Sequence, residues 1–103
     1  MWIATRASFL SIVRHDSLPR TLLVRARRRD DIVNIWPEAV VVATPHADYG
    51  FRAAISEAAV IEAVTEQINE IGYTTDFKGG IEDPTRHAAY LNAWRAFLSL
   101  AHR

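Results

Sequence analysis

The sequence predicts an α+β fold: a two-layer sandwich with a mostly antiparallel sheet and two long helices on one face, loosely ferredoxin-like. Short β-branched and aromatic runs separated by turn residues fill the first 56 residues and predict strands. Two later stretches repeat apolar residues at helical spacing. Half of the residues are apolar and 23% are charged, which favours a packed core, and the length of 103 residues predicts one domain, 1–103.

The first strands are the clearest predictions. Residues 2–6 and 8–14 are rich in β-branched and aromatic side chains with almost no linker, so we expect a hairpin or one bent strand. Residues 15–20 contain Asp, Ser and Pro and predict a turn. Residues 21–27 alternate, which places one set of side chains on each face of a strand: Leu22, Val24 and Ala26 against Leu23, Arg25 and Arg27.

A short helix and two further strands follow. Asp30 and Asp31 suit the first turn of a helix, where carboxylates meet the positive end of the dipole, and Pro37 should end that helix. Its apolar stripe is Ile32, Ile35 and Trp36. Residues 39–45 form a continuous apolar run, which predicts a strand in a central position. Residues 46–50 read as a loop and residues 51–55 as another strand.

Two long helices complete the chain. Ser56 is a suitable N-cap for the first, and its apolar positions are Val60, Ile61, Val64, Ile68 and Ile71. Asp83 followed by Pro84 predicts the start of the second. We expect its buried stripe to contain His87, Leu91, Trp94, Leu98 and Ala101, flanked by Tyr90 and Phe97.

The chain resembles a family of bacterial proteins of about this length and of unassigned function, whose members begin with a Trp–x–x–Thr–Arg–x–x–Phe pattern. Here that pattern is Trp2, Thr5, Arg6 and Phe9, and the resemblance runs nearly the whole length. Its other specific positions are Arg25, Arg27, Asp48, Tyr49, Arg52, Tyr73, Phe77, Lys78, Tyr90 and Trp94. The chain departs from the family at Ala7, where glycine is usual, and at Thr75-Asp76. The resemblance implies one compact domain and no particular chemistry.

Catalytic patterns are weak, so we expect no enzyme, no metal and no cofactor. The chain has no cysteine, which excludes thiolate chemistry and disulfides. His46 and Asp48 are two residues apart in a loop and could form either a general base with its orienting group or two ligands of a metal ion. This spacing is common, and the sequence shows no third metal ligand nearby. His87 is better explained as a packed residue on a helix.

The candidate binding residues are mostly arginines. Four fall within five residues, from Arg25 to Arg29, and two of these share the outer face of a strand. Either the cluster is a solvated, partly self-neutralised surface, or it binds carboxylates or phosphates. The predicted binding residues are Arg6, Arg25, Arg27, Arg28, Arg29, Tyr49 and Arg52.

A protein partner is the favoured ligand. Glu62, Glu66 and Glu70 repeat every four residues on a helix, where like charges repel, so this acidic ridge suits an interface with arginines. The first half of the chain carries eight basic and five acidic side chains, the second half four and seven. Such a dipolar chain suits either pairing of its own two halves or head-to-tail pairing with a copy of itself. Several strands also carry apolar residues on both faces, which predicts another layer or a partner, and we expect a homodimer or docking to a larger protein.

The predicted function is therefore a small non-catalytic interaction module acting on a protein partner through an exposed sheet face and the arginine-rich strand end. One form of this hypothesis is a mobile-element protein that inhibits a host machine by occupying its surface. The alternative is a single-stranded nucleic-acid-binding protein, with Trp2, Phe9 and Phe51 as stacking residues, although the net charge is zero. No apolar run is long enough to span a membrane, and we expect a cytoplasmic protein.

Overall fold

The computed structural model describes residues 1–101, which divide into two compact units, Met1–Ile71 and the residues from Gly72 onward. The first unit contains a sheet and two helices: β1 (Trp2–Ala4), β2 (Phe9–Arg14), β3 (Thr21–Ala26), α1 (Arg29–Val33), β4 (Val42–Ala43), β5 (Phe51–Ser56) and α2 (Glu57–Asn69). The second contains a 3-10 helix (Lys78–Gly80), α3 (Pro84–Phe97) and a 3-10 turn (Leu98–Ala101).

The five strands form one antiparallel sheet in the order β1-β2-β3-β5-β4. The predicted α+β class, with an antiparallel sheet, is confirmed. β3 and β4 run in the same direction because both are antiparallel to β5, which lies between them. They are connected through α1, so this part of the sheet is the split β–α–β unit that ferredoxin-like folds contain.

The core of the first unit lies on the face of the sheet that carries α1 and α2. The predicted alternation of β3 is confirmed, since Val24 and Ala26 are fully buried. Ile32 of α1 and Val60 of α2 pack against the strands, and the core consists of Leu10, Ile12, Val24, Ala26, Ile32, Ala53, Ile55 and Val60. The sheet is thus closed on one face by aliphatic side chains contributed by both helices.

Helix α1 is shorter than predicted and ends before Pro37. Asp30 and Asp31 occupy its first turn, as predicted. The carboxylate of Asp31 is buried and its Oδ2 accepts the backbone N–H of Phe9 at 2.9 Å. This bond ties the start of α1 to the start of β2, so the acidic residue has a structural role beyond the helix dipole.

The predicted central position of β4 is wrong, because β4 is an edge strand. Only Val42 and Ala43 pair with β5, opposite Arg52 and Phe51. Residues 35–40 and 54–56 then line an open groove of about 570 Å³ where the chain leaves the ladder. A continuous apolar run therefore does not distinguish a central strand, which has a neighbour on each side, from an edge strand whose side chains remain exposed.

Helix α2 begins as predicted and buries less than predicted. The Ser56 hydroxyl accepts the N–H of Ala59 at 3.2 Å and caps the helix. Val60 and Ala63 face the sheet and are buried. Ile61, Ile68 and Ile71, which share the predicted apolar spacing, are exposed.

The second unit is built around aromatic residues. Asp83 caps α3 by accepting the N–H groups of Thr85 and Arg86, as its position before Pro84 predicts. The rings of Phe77 and Tyr90 stack with centroids 6.0 Å apart, Tyr73 lies 5.5 Å from Phe77, and the Lys78 ammonium lies 4.8 Å from the Trp94 ring.

The predicted buried stripe of α3 is wrong for its C-terminal half. Trp94 and Leu98 are about half exposed, and Phe97 and Leu100 are exposed as well. His87 and Leu91 are half-buried, and Ala101 is exposed. The buried residues of this unit are Ile81 and Arg86. Within residues 1–101 no helix combines the length and the apolar character that a membrane crossing requires.

Candidate functional site

One row of side chains crosses the whole sheet on the face opposite α1 and α2. Trp2 of β1 lies opposite Ser11 of β2, which lies opposite Arg25 of β3. Arg25 lies opposite Arg52 of β5, and Arg52 lies opposite Val42 of β4. We call this face the arginine face. The antiparallel register therefore gathers an aromatic ring, a hydroxyl group and two guanidinium groups in one line.

The two arginines of this row are adjacent like charges. Residues directly opposite in an antiparallel pair have Cβ atoms roughly 5 Å apart, and like charges there destabilise a sheet. Arg25 donates a hydrogen bond from Nη2 to the Ser11 hydroxyl at 2.7 Å. Ser11 is buried, so this bond fixes one end of the Arg25 guanidinium group against β2.

Tyr49 holds the guanidinium groups of Arg25 and Arg27 at the end of β3. Its ring centroid lies 4.9 Å from Cζ of Arg25 and 5.0 Å from Cζ of Arg27, within the range of cation–π attraction. Tyr49 itself is buried. The loop before β5 is fixed by Thr44, whose Oγ1 donates to the Tyr49 carbonyl at 2.9 Å, and by the Asp48 carboxylate, which accepts the Tyr49 N–H at 2.9 Å.

None of the guanidinium groups of Arg25, Arg27 and Arg52 forms an ion pair with a carboxylate within residues 1–101. By contrast, Arg14 at the other end of β2 is paired with Glu57. The Nε atoms of Arg25 and Arg52 are buried and have no acceptor in the same part of the chain. Arg27 makes a longer bond, from Nε to the Asp48 carbonyl at 3.4 Å. A carboxylate or phosphate bound on this face would offset the repulsion between the guanidinium groups.

Four of the predicted binding residues therefore meet: Arg25, Arg27, Tyr49 and Arg52. We call them, together with Ser11, the arginine site. The other three occupy turns and helix ends. Arg6 lies between β1 and β2, Arg28 is the N-cap residue of α1, and Arg29 is the first residue of α1.

Sequence reasoning did not predict Ser11 and Val42 as part of this row. A serine in the middle of an apolar strand was the available signal, because Ser11 alternates with Leu10 and Ile12 and must face the other side of the sheet. Val42 could not be found without the strand register, since its neighbour Arg52 is on a different strand.

The acidic ridge of Glu62, Glu66 and Glu70 lies on the exposed side of α2 and its C-cap. All three side chains are exposed, and none forms an ion pair within the described residues. The ridge is therefore an accessible run of negative charge, and its predicted role as a partner interface stays a prediction.

The residues considered as catalytic candidates do not come together in a catalytic arrangement. His46 is exposed, and the Asp48 carboxylate accepts a backbone N–H rather than orienting an imidazole. In residues 1–101 there is no group of three or more His, Cys, Asp or Glu side chains that could hold a metal ion. What the arginine site can do chemically is bind anions.

Comparison with known proteins adds no assignment. No family model matches the chain, and neither a curated protein nor a solved structure matches it significantly. The resemblance to small bacterial proteins that begin with Trp–x–x–Thr–Arg–x–x–Phe stays a prediction.

Proposed function

We propose that this chain is a small non-catalytic binding module that holds an acidic segment of a protein partner on the arginine face. The observation that carries the proposal is the pair of opposite arginines, Arg25 and Arg52, neither of which forms an ion pair with a carboxylate within residues 1–101. Two like charges held side by side cost stability. A ligand of opposite charge would offset this cost, and its binding is the best explanation for the presence of the two opposed arginines.

A protein segment is favoured over other anions by what surrounds the arginines. Val13 and Val42 are exposed on the same face, and Leu23 is half-buried there. Aliphatic and aromatic side chains mixed with arginine are typical of protein–protein interfaces, where arginine and aromatic residues contribute most of the affinity. A net charge of zero also gives no general attraction to nucleic acid.

The ligand that fits is a segment in which acidic and apolar residues alternate. Its carboxylates would accept from Arg25 and Arg52, and its apolar side chains would lie against Val42 and Leu23. A mobile-element inhibitor of a host machine is one form of this proposal and would use the same acidic contact.

The test is a fluorescence-anisotropy titration with a short fluorescein-labelled peptide in which glutamate alternates with leucine. Hydrogen bonds to charged groups contribute about 1.5–3 kcal/mol, so Arg25→Gln and Arg52→Gln should each weaken binding by about tenfold or more. Arg95→Gln removes the same charge from exposed α3 and should leave the affinity unchanged. Equal affinities for all four proteins would refute the proposal.

Single-stranded nucleic acid is a second candidate, favoured by Trp2. Its side chain is 62% exposed and stands in the same row as the arginines, with its ring in edge contact with Phe9 at 5.7 Å. Single-strand binders combine such stacking faces with basic grooves.

The second candidate is tested with a labelled oligothymidylate of matched length. Stacking contributes about 1–3 kcal/mol per base, so Trp2→Ala should weaken this binding at least about fivefold, and the affinity should fall steeply with salt. Binding of the oligothymidylate without binding of the acidic peptide would replace the first proposal with the second.

A further inference from the structure

We propose that β4 is a dimer interface, at which two copies of the chain pair antiparallel through residues 39–43 about a two-fold axis at Val41. The pairing would join the two five-stranded sheets edge to edge. This inference is independent of the ligand of the arginine site.

The sequence of this edge reads the same in both directions. Residues 39–43 are Ala-Val-Val-Val-Ala, and Pro37 and Pro45 lie at equal distances on either side of Val41. Antiparallel pairing about Val41 places Val40 opposite Val42 of the second copy. It also places Glu38 opposite Thr44 of the second copy, so no like charges meet. A two-fold interface requires a surface that complements itself, and this segment does.

The backbone N–H and C=O groups along β4 point in the directions that this pairing requires. Thr44 donates its N–H to the Gly50 carbonyl at 2.7 Å, so the backbone groups of Thr44 and Val42 face β5. Because these groups alternate along an antiparallel strand, those of Ala43 face away from the sheet. Extending the same alternation to Val41, the residue just before β4, directs its backbone groups outward as well. The outward groups are thus those of the odd-numbered residues, which an axis at Val41 pairs with one another.

The expected hydrogen bonds can be named. Val41 and Val41 of the second copy would exchange two bonds at the axis. The N–H of Ala43 would donate to the Ala39 carbonyl of the second copy, and the symmetric bond would form on the other side. The N–H of Ala39 is already donated to the Trp36 carbonyl at 3.0 Å, so it adds no bond. Pro37 and Pro45 lack an N–H and end the ladder.

The exposure of this edge is the second observation. Val40 is 82% exposed and Val42 is 57% exposed. Charged side chains and proline are common protections of an edge strand, and residues 39–43 contain neither.

The proposed dimer also has a consequence for the arginine face. Val42 lies opposite Arg52 within one copy and would lie opposite Val40 of the second copy. The two arginine sites would then lie on one continuous sheet face, on either side of a valine cluster. Two linked sites bind a repeated ligand more tightly than one.

The test introduces charges at two positions that lie opposite each other only in this pairing register. Val40→Glu/Val42→Glu would place like charges opposite each other twice, and should raise the dimer dissociation constant about tenfold. Val40→Lys/Val42→Glu would place opposite charges together and should restore the dimer. Both double variants then carry glutamate opposite Arg52, so they differ in the charge at position 40 alone. Ile68→Lys alters an exposed apolar residue of α2 and should leave the dimer intact.

Mass is measured by light scattering on a size-exclusion column over a concentration series, with circular dichroism as the check on folding. We expect the wild type at twice its chain mass of 11.6 kDa, the double-glutamate variant at the chain mass, and the lysine–glutamate variant at twice that mass. A wild type that stays at the chain mass throughout, or two double variants with equal masses, would overturn the proposal.

Discussion

Leu10 in the first unit and Leu98 in the second are the same amino acid in regular secondary structure, yet their exposed fractions are 1% and 48%. Leu10 has neighbours on three sides, because β2 lies between two strands and under α1 and α2. Leu98 is the C-cap residue of α3, and the buried residues of that unit are Ile81 and Arg86. The other contacts of the unit include stacked aromatic rings. Helical or strand spacing fixes which side chains share a face, but a second layer decides whether that face is covered.

The largest expected effect contrasts these two leucines. Leu10→Ala should lower the free energy of unfolding by about 3–5 kcal/mol, because a rigid core leaves a cavity. Leu98→Ala should lower it by about 1 kcal/mol or less, since half of the side chain is already in water. Urea denaturation followed by circular dichroism measures both. Similar losses would show that the outer face of α3 is buried in solution, for example by another copy.

A smaller effect compares the two helix caps. Ser56 caps α2 and Asp83 caps α3, and loss of either side chain should cost about 1 kcal/mol. Ser56→Ala should lower global stability, because α2 carries part of the main core. Asp83→Ala should mainly speed amide exchange in α3, about fivefold, because that helix buries few apolar groups. Hydrogen exchange read by NMR distinguishes the two, and a uniform loss of protection in both variants would contradict this contrast.

The smallest effect has the opposite sign. Arg52→Met keeps the unbranched stem and removes one of two opposed charges, so it should raise the free energy of unfolding by about 0.2–1 kcal/mol. The same variant should lose affinity for the acidic peptide. Arg95→Met, on exposed α3, is the control for affinity and should leave peptide binding unchanged. It removes a cation from the last turn of α3, where the helix dipole favours positive charge, so it should lower the free energy of unfolding slightly rather than raise it. A destabilised Arg52→Met protein would mean that the charge has a partner in the folded chain.

Much of the fold could be predicted because local patterns specify it. Strand alternation placed Val24 and Ala26 in the core, and cap chemistry placed the starts of α2 and α3 at Ser56 and Asp83. The errors share a cause. The edge position of β4 and the exposure of Ile61, Ile68 and Trp94 depend on neighbours that are distant in sequence.

The candidate site shows the same division. The run from Arg25 to Arg29 pointed to a charged surface, and the alternation of β3 put Arg25 and Arg27 on its outer face. Only the register of β5 against β3 put Arg52 opposite Arg25, and only the loop before β5 put Tyr49 against both strand arginines. The spacing of charges along one strand can be read from the sequence alone. Which residues lie beside them on the neighbouring strands cannot, because that depends on the register of the sheet.

By itself the sequence determined the order of the strands and helices, where the long helices begin, and which side chains share a face, because these follow from backbone periods and end groups of a few residues. The tertiary structure alone decided which face is covered, which strand is the edge, and which arginines meet, because each depends on pairing between segments that the chain brings together from a distance.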